Sequence, residues 1–346
     1  VRFIRELIED TREVVDGKAA VATRFSVGLN DPESYDAFAL LAELPDLWDL
    51  TVPDYSIEMG NSRFIKEAAL KDSIFKAKQL TSKPVVSVGR LTSPDTMVQL
   101  LQDNVQDLIG AARPSIADPF LPNKISTGNL EDIRECIGCN VCYAHDSLGV
   151  PIRCTQNPTM GEEWRNGWHP EKIHTTKKRK RVLVVGSGPA GLEASRVLGK
   201  MGHKVALAEK SRELGGRIIT EAKLPGLSEW IRVRDWRITQ INKCENIEVF
   251  SGSFMTADSV LELGYEDVVI ATGARWAKDS IGRHSDCNFK KADMKMIVSG
   301  DEVLENPIKS KSKFVIYDDD HYYFGSVLAL ELKRQGHDVT LVSPAG

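Results

Sequence analysis

The chain opens on apolar residues that recur at a spacing near 3.6 in VRFIRELIEDTREVVDGK, which predicts an amphipathic helix. From there the pattern switches between two periods. AVATRFSVG, LWDLTV, PVVSVGR and DLIGAARP are short, β-branched or apolar runs that read as strands. Between them, residues 34–43, 63–81 and 96–104 carry helical spacing. Four uninterrupted β/α repeats predict half of a (β/α)8 barrel or part of an open parallel sheet. The same rhythm returns in RVLVVGSGPAGLEASRVLGKMGHKVALAEK with the later strand VVIATGARW. It returns once more in KFVIYDDDHYYFGSVLALELKRQGHDVTLVS.

Between the first and second α/β regions the periodicity is lost, and the chemistry of the chain concentrates there. Cys136, Cys139 and Cys142 stand in ECIGCNVC, and Cys154 follows after an eleven-residue gap. Three thiolates on one short turn and a fourth from the next loop form a donor set for iron–sulfur ligation. Zinc is the rival reading, although zinc sites usually pair two distant CxxC hooks. Cys244 and Cys287 are isolated and read as ordinary small side chains. Six cysteines in 346 residues, four of them clustered, do not make a disulfide scaffold, so a reducing compartment is expected. There is no signal-peptide pattern and no run of eighteen apolar residues, so a cytoplasmic protein with no membrane partner is expected. A formal net charge of −4 gives no case for a nucleic-acid partner, and the basic run at 177–181 reads as a solvated junction.

In the first α/β region the candidate binding groups fall where strands end. Arg24, Asp54, Arg90 and Arg113 sit at or near such ends. Gly89-Arg90 and Ala112-Arg113, on consecutive strands, suit a phosphate bound by backbone N–H groups and guanidinium forks.

The second α/β region carries Gly186, Gly188 and Gly191 between a strand and a helix, with Glu209 ending the next strand. In that context the glycines are a dinucleotide fingerprint: a tight turn, close approach to a pyrophosphate, and close helix–strand packing. A carboxylate at Glu209 repels a 2′-phosphate, so FAD, NAD or ADP is expected in preference to NADP. Gly215-Gly216-Arg217 extends the pattern. In the last α/β unit the corresponding turn is Asp318-Asp319-Asp320-His321-Tyr322-Tyr323. Three carboxylates stand where a pyrophosphate would lie, which predicts no electron exchange with a nicotinamide.

The order of these motifs, with ARPSIADPFLP, RECIGCNVC, CTQNPTMGEEWRNGWHPEK, LPGLSEW and IATGARW, resembles a family of flavin/iron–sulfur oxidoreductases. Its members fuse an old-yellow-enzyme barrel to a pyridine-nucleotide-disulfide-type module. The likeness is to the amine dehydrogenase branch (trimethylamine, dimethylamine, histamine). The alternatives are the NADPH-dependent 2,4-dienoyl-CoA reductase branch and a non-catalytic electron-relay protein. The resemblance implies FMN in the barrel, one [4Fe–4S] cluster, and ADP where the reductases hold FAD. It also implies a homodimer that passes electrons from a small-molecule amine to an electron-transferring flavoprotein.

Position by position, it places Arg24 near the flavin pyrimidine, and Gly89, Arg90, Ala112 and Arg113 at the FMN phosphate. The four clustered cysteines ligate the cluster, and Gly186, Gly188, Gly191, Glu209 and Arg217 bind ADP. Asp54 or Glu58 is the acidic partner in the substrate site, where Tyr55 takes the place of an absent tryptophan. Asp146 falls where trimethylamine enzymes place another tryptophan, which implies an amine other than trimethylamine. The flavin-linking cysteine and the Tyr/His pair of that family would precede Val1. Both chain ends read as cuts through a larger protein, so an internal piece, catalytically incomplete alone, is expected.

The expected fold is therefore α/β. Residues 1–125 form the C-terminal half of a (β/α)8 barrel that binds FMN, and 126–178 the cluster linker. Residues 179–300 form a doubly wound dinucleotide-binding domain, and 301–346 the start of a degenerate second one.

Overall fold

The structure is a computed structural model, and it describes residues 1–51, 53, 62–279, 281–282, 284, 296–306, 308 and 310–344. The chain divides into two compact units, Val1–Ile173 and His174–Gly346.

In the first unit the strands are β1 (Ala22–Ser26), β2 (Leu47–Thr51), β3 (Val85–Ser87) and β4 (Leu108–Ile109). They pair in sequence order, all parallel, with Arg24 opposite Asp49 and Val86 opposite Leu108. The helices are α1 (Arg2–Val15), α2 (Pro32–Ala39), α3 (Lys71–Lys78), α4 (Pro94–Gln102), α5 (Ala112–Ala117), α6 (Leu121–Ser126), α7 (Val141–Ser147) and α8 (Glu163–Asn166). Trp48, Phe38, Leu41, Leu50, Ile74, Val85 and Leu91 are fully buried between the sheet and its helices. The Phe38 and Trp48 rings meet at 4.7 Å, and Trp48 Nε1 donates to the Ala42 carbonyl oxygen at 2.8 Å, so the largest core side chain keeps its polar atom satisfied.

Two expectations are corrected here. Residues 63–81 do not form one helix, because only Lys71–Lys78 is helical. Ala68 takes a positive φ of 60° and its N–H donates to the Gly89 carbonyl oxygen, so the preceding stretch follows the strand end instead of a helix axis. DLIGAARP is likewise strand only at Leu108–Ile109, and Ala112 and Arg113 open α5.

In the second unit, β5 (Arg181–Val185), β6 (Lys204–Glu209), β7 (Ile247–Ser251) and β8 (Asp267–Ile270) form a parallel sheet in the order β7-β6-β5-β8. The direction of winding reverses between β6 and β8, on either side of β5. That arrangement opens a crevice at the carboxyl end of β5. The helices are α9 (Pro189–Lys200), α10 (Ile218–Glu221), α11 (Arg232–Asn242), α12 (Ala257–Glu262), α13 (Gly300–Glu305) and α14 (Phe324–Arg334). Val184, Leu192, Val205 and Leu207 bury the contact of the sheet with α9 and α11. A separate parallel pair, β9 (Lys313–Tyr317) and β10 (Asp338–Val342), flanks α14. Among the described residues, no helix is long and apolar enough to cross a membrane.

Candidate redox and nucleotide sites

The CIGCN turn reverses because two of its residues sit in the left-handed region, Gly138 at φ 66° and Asn140 at φ 56°. A Cβ at Gly138 would press on the Ser62 backbone at 3.0 Å and on Arg90 Nε at 3.2 Å, so the close approach needs glycine. The turn brings Cys136, Cys139 and Cys142 to one cavity with Cys154, beside Arg113, Asn140 and Thr155.

Burial pushes the Cys136 thiol up to about 11, and it also raises Cys142 and Cys154; neighbouring cysteine sulfurs add to each shift. Opposing them, backbone N–H groups of Gly138, Tyr143 and Asn157 are directed at Cys136, Cys142 and Cys154, and the Gln156 N–H donates to Cys154 Sγ at 3.4 Å. Buried thiols that repel one another as anions, yet are ringed by sulfur-directed amides, suit a cationic metal core. A single zinc ion with Zn–S bonds of about 2.3 Å draws its sulfurs to about 3.8 Å from one another. Among the described residues, no three cysteine sulfurs lie mutually within 4.8 Å.

The strand ends brace this loop. Arg90, buried and at φ 54°, donates from Nη1 to the Cys136 carbonyl oxygen at 3.2 Å and from Nη2 to that of Ile65 at 3.3 Å. Thr92 Oγ1 accepts from the Cys136 N–H at 3.0 Å. Glu67 in turn accepts from the N–H groups of Thr92 and Ser93 at 2.6 and 2.9 Å. Arg113 reaches Asn140. Deeper, Lys124 Nζ contacts Asp118 at 2.6 Å and Glu171 at 3.0 Å, and Arg134 contacts Glu171 at 2.8 Å.

Glu67, Thr92, Asn140 and the Lys124 network were not among the sequence candidates. Only Asn140, directly after Cys139, carried a readable signal, as a residue that tolerates left-handed backbone. Arg24 lies mid-strand in β1 with Nε donating to Asp49 Oδ2 at 2.7 Å. Gly89 precedes Arg90 just past β3. Asp146 is exposed in the last turn of α7, and its carboxylate makes no hydrogen bond among the described residues. Asp54, Tyr55, Glu58 and Cys287 lie outside the described residues.

In the second unit the glycines divide by role. A Cβ at Gly186 (φ 102°) would lie 2.3 Å from the Ala271 carbonyl oxygen, and one at Gly191 would lie 1.8 Å from that of Gly186. A Cβ at Gly188 would meet nothing within 4 Å. Two glycines therefore serve packing, and the third leaves the start of α9 open to an incoming group. Glu209 is buried and accepts from Ser187 N–H and Oγ at 2.8 and 2.7 Å and from the Ser211 N–H at 2.9 Å. Burial acts to raise its carboxyl, but the Ser211 and Ser187 bonds outweigh it and hold the group below the usual value. Arg217 pairs with Glu221 at 2.9 Å and Asp301 at 3.0 Å and donates to the Ala274 carbonyl oxygen at 3.1 Å. Tyr323 Oη donates to the other Glu221 oxygen at 2.9 Å.

These features define a flavin-oxidoreductase segment followed by a dinucleotide-binding unit. Residues 1–132 match the NADH:flavin oxidoreductase / NADH oxidase family, and residues 180–309 match the pyridine nucleotide-disulphide oxidoreductase family. The chain is a relative of the dimethylamine and histamine dehydrogenases. It is 41% identical to dimethylamine dehydrogenase of Hyphomicrobium sp. (strain x), over 100% of this chain and 50% of that protein. It is 43% identical to the structure of histamine dehydrogenase from Rhizobium sp. 4-9, with a TM-score of 0.90 over 99% of this chain and 51% of that one. It is 42% identical to the 6-hydroxypseudooxynicotine amine oxidase from Pseudomonas geniculata N1, with a TM-score of 0.94 over 99% of this chain and 53% of that one. The chain spans about half the length of each.

Proposed function

We propose that the protein containing this chain is an amine dehydrogenase. In this reading it oxidises an alkyl or aryl-alkyl amine and passes electrons to an electron-transferring flavoprotein as a soluble cytoplasmic homodimer. The observation that carries the reading is the thiol cage braced by Arg90 and Thr92, in a chain similar along its whole length to amine-oxidising enzymes. Cys136, Cys139, Cys142 and Cys154 would hold a [4Fe–4S] cluster. Gly89, Arg90 and Ala112, through backbone N–H groups, and Arg113, through its guanidinium, would bind the phosphate of FMN, with Arg24 toward the flavin ring. FMN supplies two-electron oxidation of the amine, and the cluster supplies one-electron relay.

The residues divide the remaining work. Arg113, which donates to Asn140 in the cysteine turn, would also face the FMN phosphate, its charge favouring anions on both sides. The sulfur-directed amides of Gly138, Tyr143, Gln156 and Asn157 stabilise negative charge on the thiolates. In the second unit, Gly186, Gly188, Gly191, Glu209 and Arg217 would hold ADP or FAD. Glu209 arrives already ionised and fixed by Ser187 and Ser211, poised for ribose hydroxyls. Asp146, exposed beside the cysteines, would select an amine with a second cationic or N–H group, and Asp54 or Glu58 would supply the acidic partner.

The test is anaerobic titration of the full-length holoenzyme with dimethylamine, trimethylamine and histamine, with flavin bleaching as the readout and iron quantified. Bleaching by an amine, with four irons per chain and none by NADPH, supports the reading. Bleaching by NADPH alone, or iron-free protein, sinks it. Asp146→Trp in the same assay changes the amine preference if the carboxylate selects substrate.

A further inference from the structure

The turn between β9 and α14 lacks the glycines of a pyrophosphate site, and side chains of ligand type occupy it instead. Asp319 and His321 come from the turn itself, and His284 comes from the segment beyond β8. His284 Nδ1 lies 3.0 Å from Asp319 Oδ1. The His284 and His321 rings stack with centroids 4.6 Å apart and planes at 6°. One ligand atom from each of the three residues falls within 4.8 Å of the other two; among the described residues no other trio of His, Cys, Asp or Glu achieves this.

The surroundings fix the geometry. A Cβ at Gly282 would lie 2.2 Å from Asp319 Oδ2, so glycine is what admits the carboxylate. The His284 N–H donates to Asp319 Oδ1 at 3.1 Å and orients it. His321, at φ 55°, places Nε2 3.3 Å from Ser343 Oγ just past β10. The Ser343 partner on His321 Nε2 sets the tautomer and leaves Nδ1 for a ligand, as metal-binding histidines require. A tetrahedral ion at about 2.1 Å sets its ligands about 3.4 Å apart, so on binding the 3.0 Å His284–Asp319 hydrogen bond opens slightly and one of the two stacked rings turns to bring its nitrogen onto the ion. Two imidazoles and a carboxylate suit zinc or a similar first-row ion; calcium and magnesium take oxygen ligands.

We propose that His284, Asp319 and His321 bind one divalent transition ion, zinc in the first instance, which clasps the segment at Gly282 and His284 to the β9–α14 turn. The cation lies where an intact nucleotide motif would place an anion, and Asp318 and Asp320 flank it with complementary charge. The site shares no residue with the amine-oxidation reading and stands or falls separately from it.

The test uses chelator-treated full-length holoenzyme, zinc chloride titrated by calorimetry, and zinc K-edge X-ray absorption. Expected are one zinc per chain beyond the iron, nitrogen and oxygen neighbours with imidazole scattering, and no sulfur. His321→Ala and Asp319→Asn abolish saturable binding, and Ser343→Ala weakens it about 10-fold. His284→Ala changes a half-exposed side chain and keeps the comparison valid if the turn variants fail to fold. Sulfur-ligated zinc, absence of saturable binding, or wild-type affinity in His284→Ala each overturn the proposal.

Discussion

Arg113 Nη1 donates to Asn140 Oδ1 at 2.5 Å, tying the first turn of α5 to the residue that reverses the cysteine loop. Asn140 thus has two jobs, left-handed backbone and acceptor for a guanidinium. Alanine fails at both, and the combined cost is about 2–4 kcal/mol. Asn140→Ala is expected to lower iron per chain in the purified full-length protein, whereas Asn140→Asp, which keeps the acceptor, retains it. Equal iron content in the alanine variant would remove the role assigned to this pair.

Cys154 reaches the cage from a different loop than the other three thiols. In Cys154→Ser, the amine is expected to bleach the flavin still, while turnover with the electron-transferring flavoprotein falls to background. Stopped-flow absorbance separates the two half-reactions. Loss of both at once would place the cluster upstream of the flavin, against the proposal.

The glycines of the 186–191 motif are expected to give opposite phenotypes. Gly191→Ala forces a Cβ to within 1.8 Å of a backbone oxygen, a clash that costs about 3 kcal/mol or more. Its melting transition is expected to fall by roughly 6–12 °C. Gly188→Ala enters open space at an extended backbone, φ −64° and ψ 177°, that any residue adopts; it leaves the melt unchanged but weakens ADP retention. Differential scanning calorimetry and nucleotide release on denaturation read the two effects.

Tyr323 is held above its ordinary value of 10 by burial, then by the adjacent Glu221 carboxylate. The unfolded phenol ionises near pH 10 while the folded one stays protonated. The contribution of Tyr323 is therefore fully present below that pH and declines as pH rises past it. Tyr323→Phe loses a hydrogen bond worth about 1 kcal/mol at pH 8. Urea melts are expected to show that deficit shrinking between pH 8 and pH 11. A deficit independent of pH would contradict the assignment.

The parallel strands were legible because β-branched runs such as 182–185 fill positions buried on both faces. Gly186 and Gly191 were legible because each answers a steric demand that no other residue meets. Residues 63–70 were not. Their apolar spacing matches a helix, but Glu67 bonds Thr92 and Ser93 and Ala68 follows Gly89. Long-range contacts set that backbone, and local periodicity carries no record of them. Arg90 shows the same limit. Its place at a strand end was readable, and the side chain's turn toward the carbonyl oxygens of Ile65 and Cys136 was not.

The bonds from Glu67 through Thr92 to Cys136, and from Arg113 to Asn140, join stretches far apart along the polypeptide. The thiols converge only once those stretches have met. For the proposed cluster, maturation should therefore run in one order, with the scaffold assembling first and iron delivered afterwards to a receptacle already shaped to take it.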